Sequence, residues 1–119
     1  MRKLLIATAL ILPTHTAAQP YSTSMADCAA IYQNAAQWVE TDAAADRLML
    51  AATRWAEAAI TQARSEGVDQ ADNSVWTHID SKTDQWEEKG QSVFFSQEFR
   101  DWTQYCRAFA KDRGISIEQ

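Results

Sequence analysis

Few side chains in this sequence are of the kinds that usually perform acid–base or nucleophilic chemistry. Of the two histidines only His78 lies beyond the first 18 residues, and the two cysteines are Cys28 and Cys106. A Cys–His nucleophilic pair needs a reduced cysteine with a stabilised thiolate. Both cysteines fall on apolar helix faces, so we expect them to bond to each other. We interpret His78 as a surface or helix-flank residue.

Other reactive arrangements have no recognisable motif. A Ser–His–Asp arrangement stays open as an alternative, although no glycine-flanked nucleophile elbow is present. Glu87, Glu88 and Glu98 are candidates for an acid–base pair, but carboxylates on helix faces are usually solvated. The sequence lacks zinc, calcium, haem-attachment and nucleotide-binding motifs. We therefore predict a protein that is not an enzyme and holds no metal or cofactor.

Tryptophan is unusually frequent, and all five copies lie beyond residue 18: Trp38, Trp55, Trp76, Trp86 and Trp102. Trp55 and Trp102 fall on apolar stripes and are predicted core residues. Trp76 and Trp86 lie on the helix with the narrowest apolar face, so we expect them to be partly exposed. Together with His78 they form our predicted partner surface, because exposed tryptophan is enriched at binding hot spots. The second interpretation, which we favour, is that both cover the core with one edge in water.

Apolar residues recur every three or four positions in four segments, which is a helical pattern. The first helix is predicted at about residues 25–40, with Ser24 as its N-cap and Asp27 completing a capping box. A break at Thr41 and Asp42 separates it from the second helix, which begins near Ala43 with Asp42 as its N-cap and ends before Gly67. One long bent helix is the alternative to that break.

Glycine bounds the two remaining helices. We predict a third helix from a cap among residues 72–74 to Gly90, and a last helix that is capped by Ser92 or Ser96 and ends at Gly114. No segment alternates long enough to predict a strand. Short connections favour antiparallel neighbours. The predicted fold is therefore all-α, a small antiparallel four-helix bundle with one disulfide joining the first and last helices.

The cysteine positions agree with this topology. In an up-down-up-down bundle the start of the first helix lies beside the end of the last. Cys28 is about one turn from its helix start and Cys106 about two turns from its helix end. That offset is compatible with the Cα separation of a disulfide. Two buried free thiols are the alternative.

Residues 1–18 have the pattern of a cleaved export signal. They combine a basic start at residues 1–3, an apolar run at residues 4–12 and small residues at 16–18. The run is shorter than the roughly 20 residues that span a membrane, and no lipoprotein cysteine follows it. We expect a single helical domain at residues 19–119, periplasmic or secreted, with no membrane anchor.

The expected mature domain is acidic. Loss of Arg2 and Lys3 leaves nine basic against 16 acidic residues, a net charge of −7. Such a surface disfavours nucleic acid and anionic lipid. We interpret the charge as a source of solubility, with a cationic partner as the alternative.

These observations favour a protein that acts by contact with another, unidentified protein. In class it is similar to periplasmic chaperones and to immunity or inhibitor proteins, without a shared motif. One alternative is binding of a small apolar ligand inside the bundle, and an enzyme of unknown class is a second. The aromatic residues that would line such a ligand cavity are Tyr32, Trp55, Phe94, Phe95, Phe99, Trp102 and Phe109.

Overall fold

The chain folds into four α-helices joined by short connections. The structure, a computed structural model, describes residues 19–117. Its helices are α1 (Tyr21–Ala36), α2 (Asp42–Ser65), α3 (Ala71–Glu88) and α4 (Gln97–Arg113), with a 3₁₀ helix at Gln91–Phe95. This part of the chain contains no strand, and none of its helices is long and apolar enough to cross a membrane. The predicted all-α fold is confirmed, whereas the predicted export signal lies outside the described residues.

Consecutive helices run in opposite directions. Ser22 at the start of α1 bonds Glu66 just after α2, and Tyr21 contacts Phe109 near the end of α4. Both α2 and α4 are therefore antiparallel to α1. Three hydrogen bonds join α1, together with Gln37 that follows it, to α3. Along these bonds the residue numbers increase in the same direction in both helices: Asp27–His78, Gln33–Thr83 and Gln37–Glu87. Helix α3 is therefore parallel to α1, as in an up-down-up-down arrangement.

Helix α1 is the centre of the fold and contacts all three other helices. We predicted one apolar face for this helix, but 11 of its 16 residues are buried. They include the polar residues Ser24, Asp27 and Asn34. A helix with neighbours on three sides keeps little solvent-exposed face, so polar positions are enclosed together with apolar ones.

Small side chains let α2 pack closely on α1. The buried alanines of α2, at a spacing of three and four residues, are Ala52, Ala56, Ala59 and Ala63. Most of them share one cluster with Ala29 and Ala30 of α1. Trp55, which is fully buried, extends that cluster to Phe109 of α4, with 5.3 Å between the ring centroids. The assignment of Trp55 to the core is confirmed.

The predicted disulfide joins α1 to α4. The Cα atoms of Cys28 and Cys106 are 5.7 Å apart, and both residues are fully buried. Only two aromatic residues of α4, Phe99 and Phe109, are buried. The last helix thus has a narrow apolar contact and a covalent link at its middle.

Several predicted helix ends are confirmed. The predicted break before α2 is confirmed, which excludes one long bent helix, but the cap is Thr41 and not the predicted Asp42: the Thr41 hydroxyl accepts a hydrogen bond from the backbone N–H of Ala44 at 3.1 Å. Ser96 caps α4 in the same way. Gly114 ends α4 with a φ of 67°, a conformation that glycine adopts without steric cost.

The predicted start of α1 is wrong. The helix begins and ends before the predicted positions, and Ser24 is an interior residue instead of the N-cap. Pro20 occupies the cap position and makes no side-chain cap bond. Instead, the carboxylate of Glu66 accepts the backbone N–H of Ser22 at 3.2 Å. A residue from another helix terminus therefore satisfies an unpaired N–H and places negative charge at the helix N-terminus.

Candidate functional site

A polar cluster connects the start of α1 with α2 and α3. This polar junction consists of Gln19, Ser22, Asp27, Glu66 and His78. Asp27 Oδ1 lies 2.6 Å from Nε2 of His78, and Gln19 Nε2 donates to Asp27 Oδ2 at 2.8 Å. The side chain of Asp27 is 8% exposed and that of His78 is 32% exposed. Because the carboxylate is withdrawn from water, these two contacts must replace its hydration.

An Asp–His pair also occurs in catalytic triads, where the imidazole activates a nucleophile. Within residues 19–117, His78 has a hydrogen bond to Asp27 and none to a serine hydroxyl. The cysteines are bonded to each other. The described part of the chain therefore gives the pair no adjacent nucleophile, and its geometric effect is to join α1 to α3.

The second half of the polar junction is a carboxylate held by hydrogen-bond donors. Ser22 Oγ donates to Glu66 Oε1 at 2.5 Å, and Gln62 Nε2 donates to Oε2 at 3.0 Å. The Ser22 hydroxyl makes the largest contribution to lowering the pKa of Glu66, and the Gln62 side chain and the Ser22 backbone N–H add to it. Desolvation raises the pKa of Glu66, but by less than these hydrogen bonds lower it. These hydrogen bonds favour the ionised form of Glu66 in the folded protein.

A surface cleft of about 140 Å³ borders the polar junction, and Ser22, Glu66 and His78 are among the residues that line it. This is the liquid volume of about five water molecules. Each of these three side chains already has a partner inside the protein. The cleft walls therefore offer few free charged groups to a ligand.

Helix α3 separates its charges into two sides. One side, the acidic flank, consists of Trp76, Asp80, Asp84 and Glu87. At about 100° per residue these side chains fall within roughly 80° around the helix axis, and all four residues are exposed. His78 and Lys82 lie roughly opposite them. The outer surface of α3 is therefore acidic on one side and basic on the other.

The three residues of the predicted partner surface do not lie together. Trp76 is 41% exposed, as its predicted partial exposure requires. Trp86 is only 8% exposed and meets Phe99 edge-on at 5.8 Å. Trp86 therefore covers the core, in agreement with the second interpretation of these tryptophans, because Val93 of the 3₁₀ helix and Phe99 of α4 pack against it. His78 faces α1 through Asp27, which leaves Trp76 as the exposed member of the set.

The aromatic residues that we expected around a ligand cavity contact one another. Phe94 and Phe99 lie 5.1 Å apart, and Phe94 also contacts Phe95, which is 70% exposed. Trp102 is half-buried beside the core instead of inside it, with Tyr105 edge-on at 5.7 Å. These rings fill space between helices, and ligand binding inside the bundle stays a prediction.

Sequence reasoning missed the main member of the polar junction. We assigned Asp27 to a capping box, but it is the only charged residue of α1. A single charge in an otherwise uncharged helix requires a buried partner, and this signal was available. The sequence carried no such signal for the contact between Ser22 and Glu66, because these residues are 44 positions apart.

The candidate acidic residues do not form an acid–base pair. Glu87 accepts a hydrogen bond from Gln37 at 2.6 Å, and Glu98 pairs with Lys89 at 2.9 Å. In residues 19–117, no three Asp, Glu, His or Cys side chains are grouped so as to hold a metal ion. Comparison with known protein families, characterised proteins and solved structures finds no match to this chain.

Proposed function

We propose that this protein is an exported, non-catalytic binding protein that holds a cationic protein partner on the acidic flank of α3. The observation that carries this proposal is the exposure of Trp76, 41%, on the same side of α3 as Asp80, one turn further along the helix, and Asp84, two turns further along. Tryptophan supplies a large apolar area and is enriched among residues that dominate binding energy. A ring beside carboxylates suits a partner that presents lysine or arginine on an apolar stem.

Two carboxylates of the acidic flank are free to pair with such a partner. Within residues 19–117, Asp80 and Asp84 have no hydrogen-bond or ion-pair partner, whereas Glu87 is bonded to Gln37. Exposed ion pairs contribute only about 0–1 kcal/mol each. The carboxylates therefore act mainly on association rate and orientation, and Trp76 supplies most of the affinity.

Export is part of the proposal. The disulfide is compatible with an oxidising compartment, and residues 1–18 have the pattern of a signal peptide. Gln19, the first residue after the proposed cleavage point, donates hydrogen bonds to Ser24 and Asp27. Cleavage there leaves the polar junction complete. An inhibitor or immunity protein, or a chaperone, is the kind of binding protein that this surface fits.

The test is affinity capture with the mature chain, immobilised through its C-terminus, from periplasmic extract of the source organism. We expect one stoichiometric basic protein, whose association is slower at about 1 M salt, where the Debye length is about 3 Å. Trp76→Ala should lose it. The matched control is Tyr105→Ala, which removes a similarly exposed aromatic ring, 45% exposed, from α4.

Two double variants with the same change in net charge distinguish an effect of the acidic flank from an effect of the net charge of the protein. Asp80→Lys with Asp84→Lys should abolish capture, whereas Asp101→Lys with Asp112→Lys, the same charge change on α4, should preserve it. If both double variants bind equally, or if no stoichiometric partner is captured in several buffers, the proposal is wrong.

A further inference from the structure

A second cleft lies where α1, α3 and α4 meet, on the side of α3 that faces away from the acidic flank. Its volume is about 190 Å³, which is the liquid volume of about six water molecules. We call it the three-helix cleft. The charged and tryptophan residues that line it are Asp27, Lys82, Trp86, Lys89, Glu98 and Trp102. A single small ring with one polar substituent is of a size to fit it.

The two carboxylates in the three-helix cleft are already occupied. Both oxygens of Asp27 have partners, His78 on one and Gln19 on the other. Both oxygens of Glu98 accept hydrogen bonds from Lys89 Nζ, at 2.9 and 3.0 Å. A ligand cation would have to compete with these donors, so the carboxylates select weakly for positive charge.

The unoccupied charge in the three-helix cleft is the ammonium of Lys82. This residue is half-buried and has no hydrogen-bond or ion-pair partner in residues 19–117. Lys89, by contrast, is held by Glu98 and lies 5.0 Å from the centroid of the Trp86 ring. The donors available to a ligand are therefore those of Lys82, and they require an acceptor such as a carboxylate.

The remaining walls are aromatic. Trp86 is 8% exposed and reaches the cleft from α3, and the half-buried Trp102 reaches it from α4. We propose that the three-helix cleft binds a small monoanion with a flat apolar ring. Its carboxylate pairs with Lys82, and its ring lies against Trp86 and Trp102. This site is separate from the acidic flank and does not depend on the partner proposed for it.

The test uses benzoate as the anionic probe, with benzamide and benzylamine as its neutral and cationic matches. The readout is the indole Nε1–H resonance of each tryptophan in ¹H–¹⁵N correlation spectra of the oxidised mature protein. Benzoate should produce saturable shifts at Trp86 and Trp102, with little change at Trp76. Benzamide should bind more weakly, and benzylamine should not bind.

Lys82→Gln tests the role of the ammonium. It should weaken benzoate binding by about two- to fivefold, the effect of one ion pair at a partly exposed site, and leave benzamide binding unchanged. Lys111→Gln, the same change on an exposed part of α4, should have no effect. The proposal is wrong if the shifts are still linear at about 10 mM, if benzylamine binds as tightly as benzoate, or if Lys82→Gln behaves like Lys111→Gln.

Discussion

Reduction of the Cys28–Cys106 bond should remove a large share of the stability of this domain. The bond closes a loop of 78 residues. The chain-entropy relation gives about 4.5 kcal/mol for a loop of that length at 25 °C. Small domains are stable by about 5–15 kcal/mol in total. Comparing oxidised with reduced wild-type protein keeps every side chain in place, so no cavity contributes to the difference.

The loss should be greatest in α4. Its buried aromatic contacts are Phe99 and Phe109, and it packs mainly on α1 and the 3₁₀ helix. Without the bond this helix has to be held by a narrow apolar strip. We therefore expect amide hydrogen exchange in residues 97–113 to accelerate more than exchange in α1 or α2.

The assay is urea unfolding of both forms under identical conditions, with free thiols counted by alkylation and mass spectrometry. Both sulfur atoms belong to fully buried residues, so reduction should be carried out on the unfolded chain before refolding. A Cys28→Ala, Cys106→Ala double variant serves as the control, and reductant should not change its midpoint. A stability loss below about 1 kcal/mol with two free thiols, or uniform exchange across the helices, would refute the reasoning.

Four further outcomes are expected. Folding lowers the pKa of Glu66, so its contribution is complete above about pH 4.3 and is lost as pH falls through the folded pKa. Glu66→Gln should flatten that part of the stability profile in urea unfolding, and an unchanged slope would contradict this. A double-mutant cycle on Asp27→Ala and His78→Ala should give a coupling of about 1–3 kcal/mol, and additive losses would count against the pair. Ser96→Ala should cost about 1 kcal/mol through its lost N-cap and shift the thermal midpoint, whereas an unchanged midpoint would contradict the cap. Near pH 2 the carboxylates are neutral and the basic residues repel one another, so ANS fluorescence should rise and near-UV circular dichroism fall, and constant signals would exclude an acid-activated chaperone.

Local sequence signals predicted the glycines that follow α2, α3 and α4, and Ser96 as a cap of α4, because their chemistry is local. The predicted caps of α2 and α3 were wrong, since Thr41 and Gln70 occupy those positions. Thr41 and Ser96 cap helices by bonding N–H groups three residues ahead. The glycine at 114 adopts a backbone conformation that its own lack of a side chain permits. The start of α1 was misplaced because the backbone N–H of Ser22 is satisfied by Glu66, a contact that no local window contains.

The candidate sites were less predictable than the fold. Periodicity left two interpretations of Trp86 open, a partner surface or a cover of the core, and the packing of Phe99 and the 3₁₀ helix over its ring decided for the second. Trp102 was ranked as core, but it lies half-buried at the edge of the three-helix cleft. In both cases exposure depends on where a neighbouring helix ends, which periodicity does not describe.

The amino-acid sequence alone determined that this chain forms helices, where most of them stop, and that its two cysteines can meet. These properties follow from side-chain spacing of three and four residues and from caps that act within one turn. Tertiary structure decided that α1 is the enclosed helix, which buries Asp27 and pairs it with His78. It also left the ring of Trp76 exposed to solvent and the ammonium of Lys82 without a partner. The exposure of one side chain and the pairing of the other both depend on the angles at which helices distant in sequence pack.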